Sequence, residues 1–129
     1  MTGYLLDTNI VLIALTRPAA LSATARKAVQ SGPNVVSVVV YWEVALKVSK
    51  GALLVGQPRA WWRDALDQLA ATSLMLSAKH IDRVYDLPKI HKDPFDRVLI
   101  AQAAEEGLTF VTTDREIRKY LSHQLRVLV

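Results

Sequence analysis

The sequence predicts an α/β fold in which helices cover both faces of a parallel sheet. Short apolar or β-branched runs alternate along the chain with longer segments of helical periodicity, and Arg17-Pro18 and Gly32-Pro33 mark helix ends. This alternation is typical of parallel sheets, because each parallel connection must cross over the sheet. The chain is expected to form one domain over residues 1–129, which is long enough to bury about two-thirds of the unfolded surface.

The elements follow in order from the local pattern. Strands are predicted where apolar or β-branched residues stand together, at residues 4–6, 35–38, 74–76, 109–112 and 126–128. Helices are predicted at residues 9–15, 22–31, 39–51, 58–71, 77–87, 94–106 and 114–120. Pro58 and Pro94 suit first helical turns, and Gly107 suits a helix end.

Composition limits the class of protein. The chain has no cysteine, which excludes disulfides, a thiolate nucleophile and a cysteine zinc site. The N-terminus lacks the basic segment of a signal peptide, and no apolar run approaches the roughly 18 residues that cross a bilayer. We therefore expect a cytoplasmic protein with no membrane partner. Its 16 Lys and Arg against 12 Asp and Glu are compatible with nucleic acid, although ordinary solubility explains them equally well.

Four acidic residues stand where this fold would bring them together. Asp7 follows the first predicted strand and Asp114 the fourth, while Glu43 and Asp96 lie early in two apolar helices. The carboxyl ends of parallel strands meet at one edge of the sheet, where open α/β folds build their sites. Clustered carboxylates repel one another, so a divalent cation between them would explain their convergence. Their hard oxygens select Mg²⁺ or Mn²⁺ over softer metals.

Several of these acids also have a purely structural interpretation. Asp7 and Asp114 suit the N-cap position of the helix that follows each, and Asp93 suits the cap of the next helix. Capping explains Asp96 less well, because its neighbours along one helix face are apolar, namely Leu99, Ile100 and Ala103. We therefore assign Asp96 to the site and Asp93 mainly to the cap.

Glu43 leaves two interpretations open. It can pair with Lys47 four residues later, a contact worth only about 0.2–0.5 kcal/mol on a helix surface. The rest of the helix is apolar nearly all round, so these two residues mark its one polar stripe. Periodicity does not decide whether that stripe faces bulk solvent or the acids.

Polar and basic residues surround the acids. Supporting positions around the ligand carboxylates are predicted for Asn9, Asp93, Thr112 and Thr113. Contacts with the phosphates of a nucleic acid are predicted for Lys92, Arg97 and Arg115. The histidines His80, His91 and His123 share no metal-ligand spacing and are expected at the surface. The Trp61-Trp62 pair is expected to place one indole in the core and leave the other partly exposed.

Four segments together resemble the PIN domain and, more narrowly, the VapC-type toxins of toxin–antitoxin modules. The resemblance spans the chain from Asp7 to the C-terminal strand, and its third segment is the most specific. The segments are Leu5-Leu6-Asp7-Thr8-Asn9, Glu43 in a helix after a strand, His91-Lys92-Asp93-Pro94-Phe95-Asp96-Arg97-Val98-Leu99-Ile100-Ala101-Gln102-Ala103, and Val111-Thr112-Thr113-Asp114.

The resemblance implies a fold, an activity and partners. The fold is a PIN-like three-layer α/β/α sandwich with a mainly parallel central sheet of four or five strands. The activity is Mg²⁺- or Mn²⁺-dependent endoribonuclease cleavage with one or two ions, in which the catalytic and metal-binding acids are Asp7, Glu43, Asp96 and Asp114. The implied partners are an RNA substrate, a VapB-type antitoxin and a second copy in a homodimer.

Two other classes of protein compete with a nuclease. In an aspartyl-phosphate phosphatase of the haloacid-dehalogenase type, an aspartate after the first strand is the nucleophile. Such sites have a second acid two residues later, and this chain has Asn9 there. In a non-catalytic nucleic-acid or protein-binding module the acids would be helix caps, which tolerate Asp→Asn substitution where metal ligands do not.

Overall fold

The computed structural model describes residues 2–89, 92–120 and 125–129. Within them the chain forms a five-stranded parallel sheet in the order β3-β2-β1-β4-β5. The strands are β1 (Tyr4–Leu6), β2 (Asn34–Ser37), β3 (Ala71–Leu74), β4 (Thr109–Val111) and β5 (Arg126–Leu128). The helices are α1 (Thr8–Thr16), α2 (Ala23–Ser31), α3 (Val38–Ser49), α4 (Pro58–Gln68), α5 (Ala78–Asp86) and α6 (Pro94–Glu106), with 3₁₀ turns at Pro18–Ala20 and Arg115–Tyr120.

The strand order divides the connections into two groups. From β1 the chain moves outward through β2 to β3, then crosses back past β1 to β4 and continues to β5. Because crossovers between parallel strands are right-handed, this reversal puts α1–α4 on one face of the sheet and α5 and α6 on the other. The predicted α/β/α sandwich is confirmed. β1 and β4 lie where the order reverses, the point at which open α/β sheets leave a crevice beyond their carboxyl ends.

The third strand is displaced from its prediction. The apolar run at 74–76 suggests a strand there, whereas β3 occupies Ala71–Leu74 and pairs in register with Asn34–Ser37. β3 is an edge strand, so pairing with one neighbour fixes its position more than burial does. Leu74 is buried, but Met75 is 69% exposed. The remaining predicted strands and helices agree with the structure to within a few residues at most boundaries.

The core lies between the sheet and the apolar sides of the helices. Both faces of the central strands are covered, so consecutive strand residues are buried, as expected for a parallel sheet. The fully buried strand residues include Leu5, Leu6, Val36, Phe110 and Val111, and the helices contribute Ile10, Val11, Val40, Val44, Leu99 and Ile100. None of the helices in the described part of the chain has the length and apolar character needed to span a membrane.

Gly3 sets the start of β1 by a close backbone approach. Its φ is +127°, and a Cβ built on it would lie 2.4 Å from the Pro33 carbonyl oxygen. That same oxygen accepts a 2.8 Å hydrogen bond from the Tyr4 N–H, and the Gly3 carbonyl accepts one of 3.0 Å from Thr109. Glycine is therefore required where β1 enters between β2 and β4.

Gly3→Ala should destabilise the fold more than Gly56→Ala does. We expect a loss of at least about 2 kcal/mol in the free energy of unfolding, because backbone strain and overlap act together. Gly56→Ala is the matched control, since Gly56 also has a positive φ but nothing within 4 Å of its Cβ position. It should cost about 1–2 kcal/mol. Urea unfolding of both variants measures the loss in the free energy of unfolding, and equal losses in the two variants would contradict the prediction.

Candidate active site

Asp7 lies at the carboxyl end of β1 and is 5% exposed. Its N–H donates to the Val111 carbonyl at 2.9 Å, and its Oδ2 accepts a 2.6 Å hydrogen bond from the Thr112 hydroxyl. Although Asp7 occupies the N-cap position of α1, its side chain makes no capping hydrogen bond. Capping therefore does not explain this residue. Its carboxylate is instead held against the end of β4 by the hydrogen bond from the Thr112 hydroxyl.

The charge of Asp7 is held in an unfavourable environment. Burial raises the pKa of the Asp7 carboxyl above its ordinary value of 3.8, and the negative charges of Glu43 and Asp114 raise the pKa further. The Thr112 hydrogen bond lowers the pKa without cancelling the rise. Both neighbouring carboxylates thus lie within electrostatic reach of Asp7. A cation beside these groups would relieve their repulsion.

Glu43 faces the other acids and is only 5% exposed. Its Oε1 accepts a 2.6 Å hydrogen bond from the Thr8 hydroxyl, and its Oε2 lies 2.8 Å from the Lys47 ammonium. The hydrogen bond to Glu43 is the main reason that the pKa of Lys47 is raised, and the charges of Asp93 and Asp96 add to it. The polar stripe of α3 is therefore directed at the acidic cleft, which settles the question that periodicity left open.

Thr8 is a supporting residue that the sequence analysis does not single out. Its hydroxyl joins α1 to the carboxylate of Glu43, 35 residues away in the chain. The available signal is its position directly after Asp7, in the first turn of a helix that begins at the end of β1. An Asp-Thr pair at such a point supplies one acid and one hydroxyl to the same edge of the sheet.

Asp93 and Asp96 stand at the start of α6. Asp93 is the N-cap, because its Oδ1 accepts hydrogen bonds from the N–H groups of Phe95 at 2.9 Å and Asp96 at 3.5 Å. Asp96 is half-buried in the first turn. The residues on its apolar side are all buried, namely Leu99, Ile100 and Ala103. The helix N-terminus also favours negative charge at both positions.

Asp114 follows β4 and combines two contacts. Its N–H donates to the Thr112 hydroxyl at 3.1 Å, and its Oδ1 accepts a 2.9 Å hydrogen bond from the Glu116 N–H. The predicted capping role of Asp114 in the turn that follows is therefore confirmed, and its charge still acts on Asp7. Two of the predicted supporting residues, Thr113 and Asn9, are exposed.

The three predicted phosphate contacts fall into two groups. Lys92 and Arg115 are exposed beside the segments that carry Asp93 and Asp114. The Arg97 guanidinium instead donates to the carbonyls of Val84 at 3.0 Å and Pro88 at 2.9 Å. This arrangement argues against the predicted phosphate contact of Arg97, because its donors are directed at the end of α5.

His80 is buried, which corrects the expectation that it lies at the surface. Its Nδ1 accepts a 3.0 Å hydrogen bond from the Ser77 N–H, so its Nε2 carries the proton that is directed at Glu106 at 2.9 Å. The imidazole thus caps α5 and ties it to the end of α6. The signal is a capping box in which histidine replaces the usual Glu or Gln. His91 and His123 lie outside the described residues.

Aromatic side chains lie beside the acids and on the face that carries α4. Trp42 is 58% exposed and meets Phe95 edge to face, with ring centroids 5.0 Å apart. Tyr41 stacks on Trp62 at 5.1 Å. Trp61 and Trp62 are both half-buried, so neither indole lies fully in the core. Part of Trp61 lines a surface groove together with Leu15, Leu54 and Val55.

Comparison with known families decides the class of this arrangement. The profile of the PIN domain family matches residues 4–121. The chain belongs to the PIN domain family. The comparison with curated proteins found no match.

Solved structures of related complexes share this PIN fold over nearly the whole chain. VapBC2 from Rickettsia felis, bound to a DNA fragment from its promoter, has a TM-score of 0.70 at 18% identity, covering 99% of this chain and 98% of that one. DNA-bound VapBC from Salmonella typhimurium has a TM-score of 0.68 at 17% identity, with coverages of 99% and 98%. A toxin–antitoxin complex from Klebsiella pneumoniae has a TM-score of 0.61 at 22% identity, with coverages of 98% and 96%.

PIN domains generally use divalent metal ions, and the donor set here fits such an ion chemically. Asp7 is a buried carboxylate whose neighbours are also anionic, and all the donors are hard oxygens. Among residues 2–89, 92–120 and 125–129, however, no three histidine, aspartate or glutamate side chains are close enough to form a complete metal-binding group. Mg²⁺ commonly binds through one or two carboxylates and keeps several waters, so a complete protein cage is not required.

Asp7→Asn should be at least as stable as the wild type at pH 7 without divalent ions. The folded-state pKa of Asp7 lies above its ordinary value, so its ionisation opposes folding. As the pH falls through the folded-state pKa, Asp7 becomes protonated, and the free energy of unfolding of the wild type should therefore rise. This contribution is absent in Asp7→Asn, whose amide oxygen still accepts from Thr112.

The effect is measured as the difference in melting temperature between Asp7→Asn and the wild type, in EDTA, at pH values from 7 to 4. The difference should be largest at pH 7 and shrink towards pH 4. Asp64→Asn, on the exposed side of α4, is the matched control and should follow the wild-type profile. A lower melting temperature for Asp7→Asn at every pH would contradict the prediction.

Proposed function

We propose that this PIN domain is a divalent-metal-dependent endoribonuclease and the VapC-type toxin of a toxin–antitoxin module, acting in the cytoplasm. The observation that carries the proposal is the buried Asp7 carboxylate at the strand-order reversal, with Glu43 and Asp114 in electrostatic reach. Family membership supports the nuclease chemistry. The fold shared with VapBC complexes supports the toxin assignment.

In this proposal the acidic centre holds Mg²⁺ or Mn²⁺ through Asp7, Glu43, Asp96 and Asp114. A cation held there would supply Lewis-acid chemistry, in which a phosphoryl oxygen would be polarised and a water activated as the nucleophile. Thr112 fixes the orientation of Asp7 through a 2.6 Å hydrogen bond, and Thr8 does the same for Glu43. Asp93 holds the first turn of α6 in place as its cap, so that Asp96 is presented from a rigid helix.

The rim of the centre supports a nucleic acid as the substrate, and the proposal takes it to be RNA. Lys92 and Arg115 are exposed beside Asp93 and Asp114, and their charges suit the phosphates on either side of the scissile bond. A phosphatase of the aspartyl-phosphate type is less well supported, because position 9 is an exposed asparagine rather than an acid. A non-catalytic module explains Asp93 and Asp114 as caps, but it gives no reason to bury the carboxylates of Asp7 and Glu43 next to each other.

RNA cleavage should require Mg²⁺ or Mn²⁺ and should be lost in Asp7→Asn and Asp96→Asn. We expect a loss of at least about 100-fold, the scale of removing one preorganised catalytic group. Asp93→Ala is the comparison variant. It should lower the free energy of unfolding by about 0.5–2 kcal/mol, as loss of a cap does, and reduce cleavage less than Asp96→Ala. Cleavage of RNA and thermal melting are measured on the same preparations.

Two outcomes would reject this assignment of roles. Full cleavage in EDTA, or in Asp96→Asn, would remove the metal-nuclease mechanism. Equal and complete loss of cleavage in Asp93→Ala and Asp96→Ala, with unchanged melting, would show that the cap and the ligand are assigned the wrong way round.

The proposed partners are a VapB-type antitoxin and a second copy of the chain. The similar structures are VapBC complexes, which supports the antitoxin, and the chain offers apolar surface for an antitoxin segment. Trp42 is exposed beside the acids, and Leu54 projects into solvent at the groove lined by Trp61. An arginine from the antitoxin would suit the acidic centre, because a guanidinium bridges carboxylates and replaces a cation's charge.

Expression of the chain alone should arrest growth of a host cell, and co-expression with its neighbouring gene should restore growth. Affinity purification of the pair should recover both proteins in one complex. Asp96→Asn, expressed at the same level, is the matched control and should be harmless while still binding the partner. Harmless expression of a folded, Mn²⁺-binding wild-type chain would count against the toxin assignment.

A further inference from the structure

Lys47 makes a direct contact with a carboxylate of the acidic centre. Its ammonium lies 2.8 Å from Oε2 of Glu43, whose side chain is almost fully buried. The pair is i,i+4 on α3, but the burial of Glu43 distinguishes it from the weak pairs of exposed helix surfaces. The Lys47 side chain itself is 45% exposed, so its ammonium lies at the open side of the centre.

Glu43 is held on both sides by the protein. Its Oε1 accepts from the Thr8 hydroxyl at 2.6 Å, while its Oε2 is engaged by Lys47. The charges of Asp93 and Asp96 also act on Lys47. The positive charge of Lys47 therefore lies among three carboxylates, on the α3 and α6 side of the centre. Asp7 and Asp114 stand on the β1 and β4 side.

We propose that the Lys47 ammonium takes the place of a second divalent cation, so that the acidic centre holds one ion rather than two. A Mg²⁺ ion bound to Oε2 of Glu43 would have to approach within about 2.0–2.1 Å of that oxygen. It would then lie a few ångströms from the Lys47 ammonium, which already contacts the same oxygen. The remaining ion is assigned to the Asp7 and Asp114 side. Glu43 then acts on this ion through its charge and not as the direct ligand of the four-acid arrangement proposed above. This inference rests on the proposed metal-dependent function.

Counting bound Mn²⁺ tests the proposal without RNA and without an activity measurement. The metal-free full chain is titrated with MnCl₂, and the free ion is followed by electron paramagnetic resonance. We expect one bound Mn²⁺ per chain for the wild type and two for Lys47→Gln. Lys47→Arg keeps the positive charge and should again bind one. Lys47→Met repeats the charge removal with a different side chain, and circular dichroism checks that each variant is folded.

Lys79→Gln is the matched control for loss of one positive charge. Lys79 is exposed next to His80, whose ring bonds Glu106 at the opposite end of α6 from Asp96. This variant should bind one Mn²⁺ with unchanged affinity.

The outcomes separate the inference from the function on which it rests. Two ions in the wild type, or a single ion in both Lys47→Gln and Lys47→Met, would overturn the role of Lys47 and leave the metal nuclease standing. No Mn²⁺ bound by the wild type, together with metal-independent or absent RNA cleavage, would overturn both.

Discussion

Burial of the Asp7 carboxylate between the ends of β1 and β4 is the constraint on which the site depends. Two neighbouring parallel strands end side by side, and Asp7 joins those ends twice, through its backbone N–H to the Val111 carbonyl and through its carboxylate to the Thr112 hydroxyl. Folding therefore holds an anion next to other anions. Asp96 comes from the first turn of α6, Glu43 from the second turn of α3, and Asp114 from the residue before a 3₁₀ turn, so the positions of the acids follow from the strand order.

Much of the fold and the positions of the acids could be predicted from the sequence. Buried parallel strands are continuous apolar runs, and Asp93 and Gly107 mark the ends of α6. The predicted position of β3 is wrong because backbone pairing with one neighbour fixes the position of an edge strand. Such a strand needs few buried side chains, so its sequence has little hydrophobic pattern. The contact of His80 with Glu106 and the contacts of Arg97 could not be read locally, because these partners lie 26 residues away for His80 and 13 or 9 for Arg97. The bond of His80 to Ser77 is local and has a capping-box pattern.

Hydroxyl groups connect the strands and helices of the site. Thr8 joins α1 to α3 through Glu43, and Thr112 joins the end of β4 to Asp7. Each hydroxyl donates to one carboxylate oxygen and so stabilises its charged form. Two threonines thus offset part of the repulsion among the acids without adding charge.

Arg97 stands next to Asp96, in the most specific segment of the sequence, yet its guanidinium binds the carbonyls of Val84 and Pro88. It fastens the chain that leaves α5 to the helix that carries Asp96. Selection for that anchorage would preserve an arginine at this position even in a relative that has lost catalysis. An arginine conserved at this position among relatives would therefore indicate a shared structural contact and not shared catalysis. Inactive relatives should instead be recognised by the loss of the acidic residues.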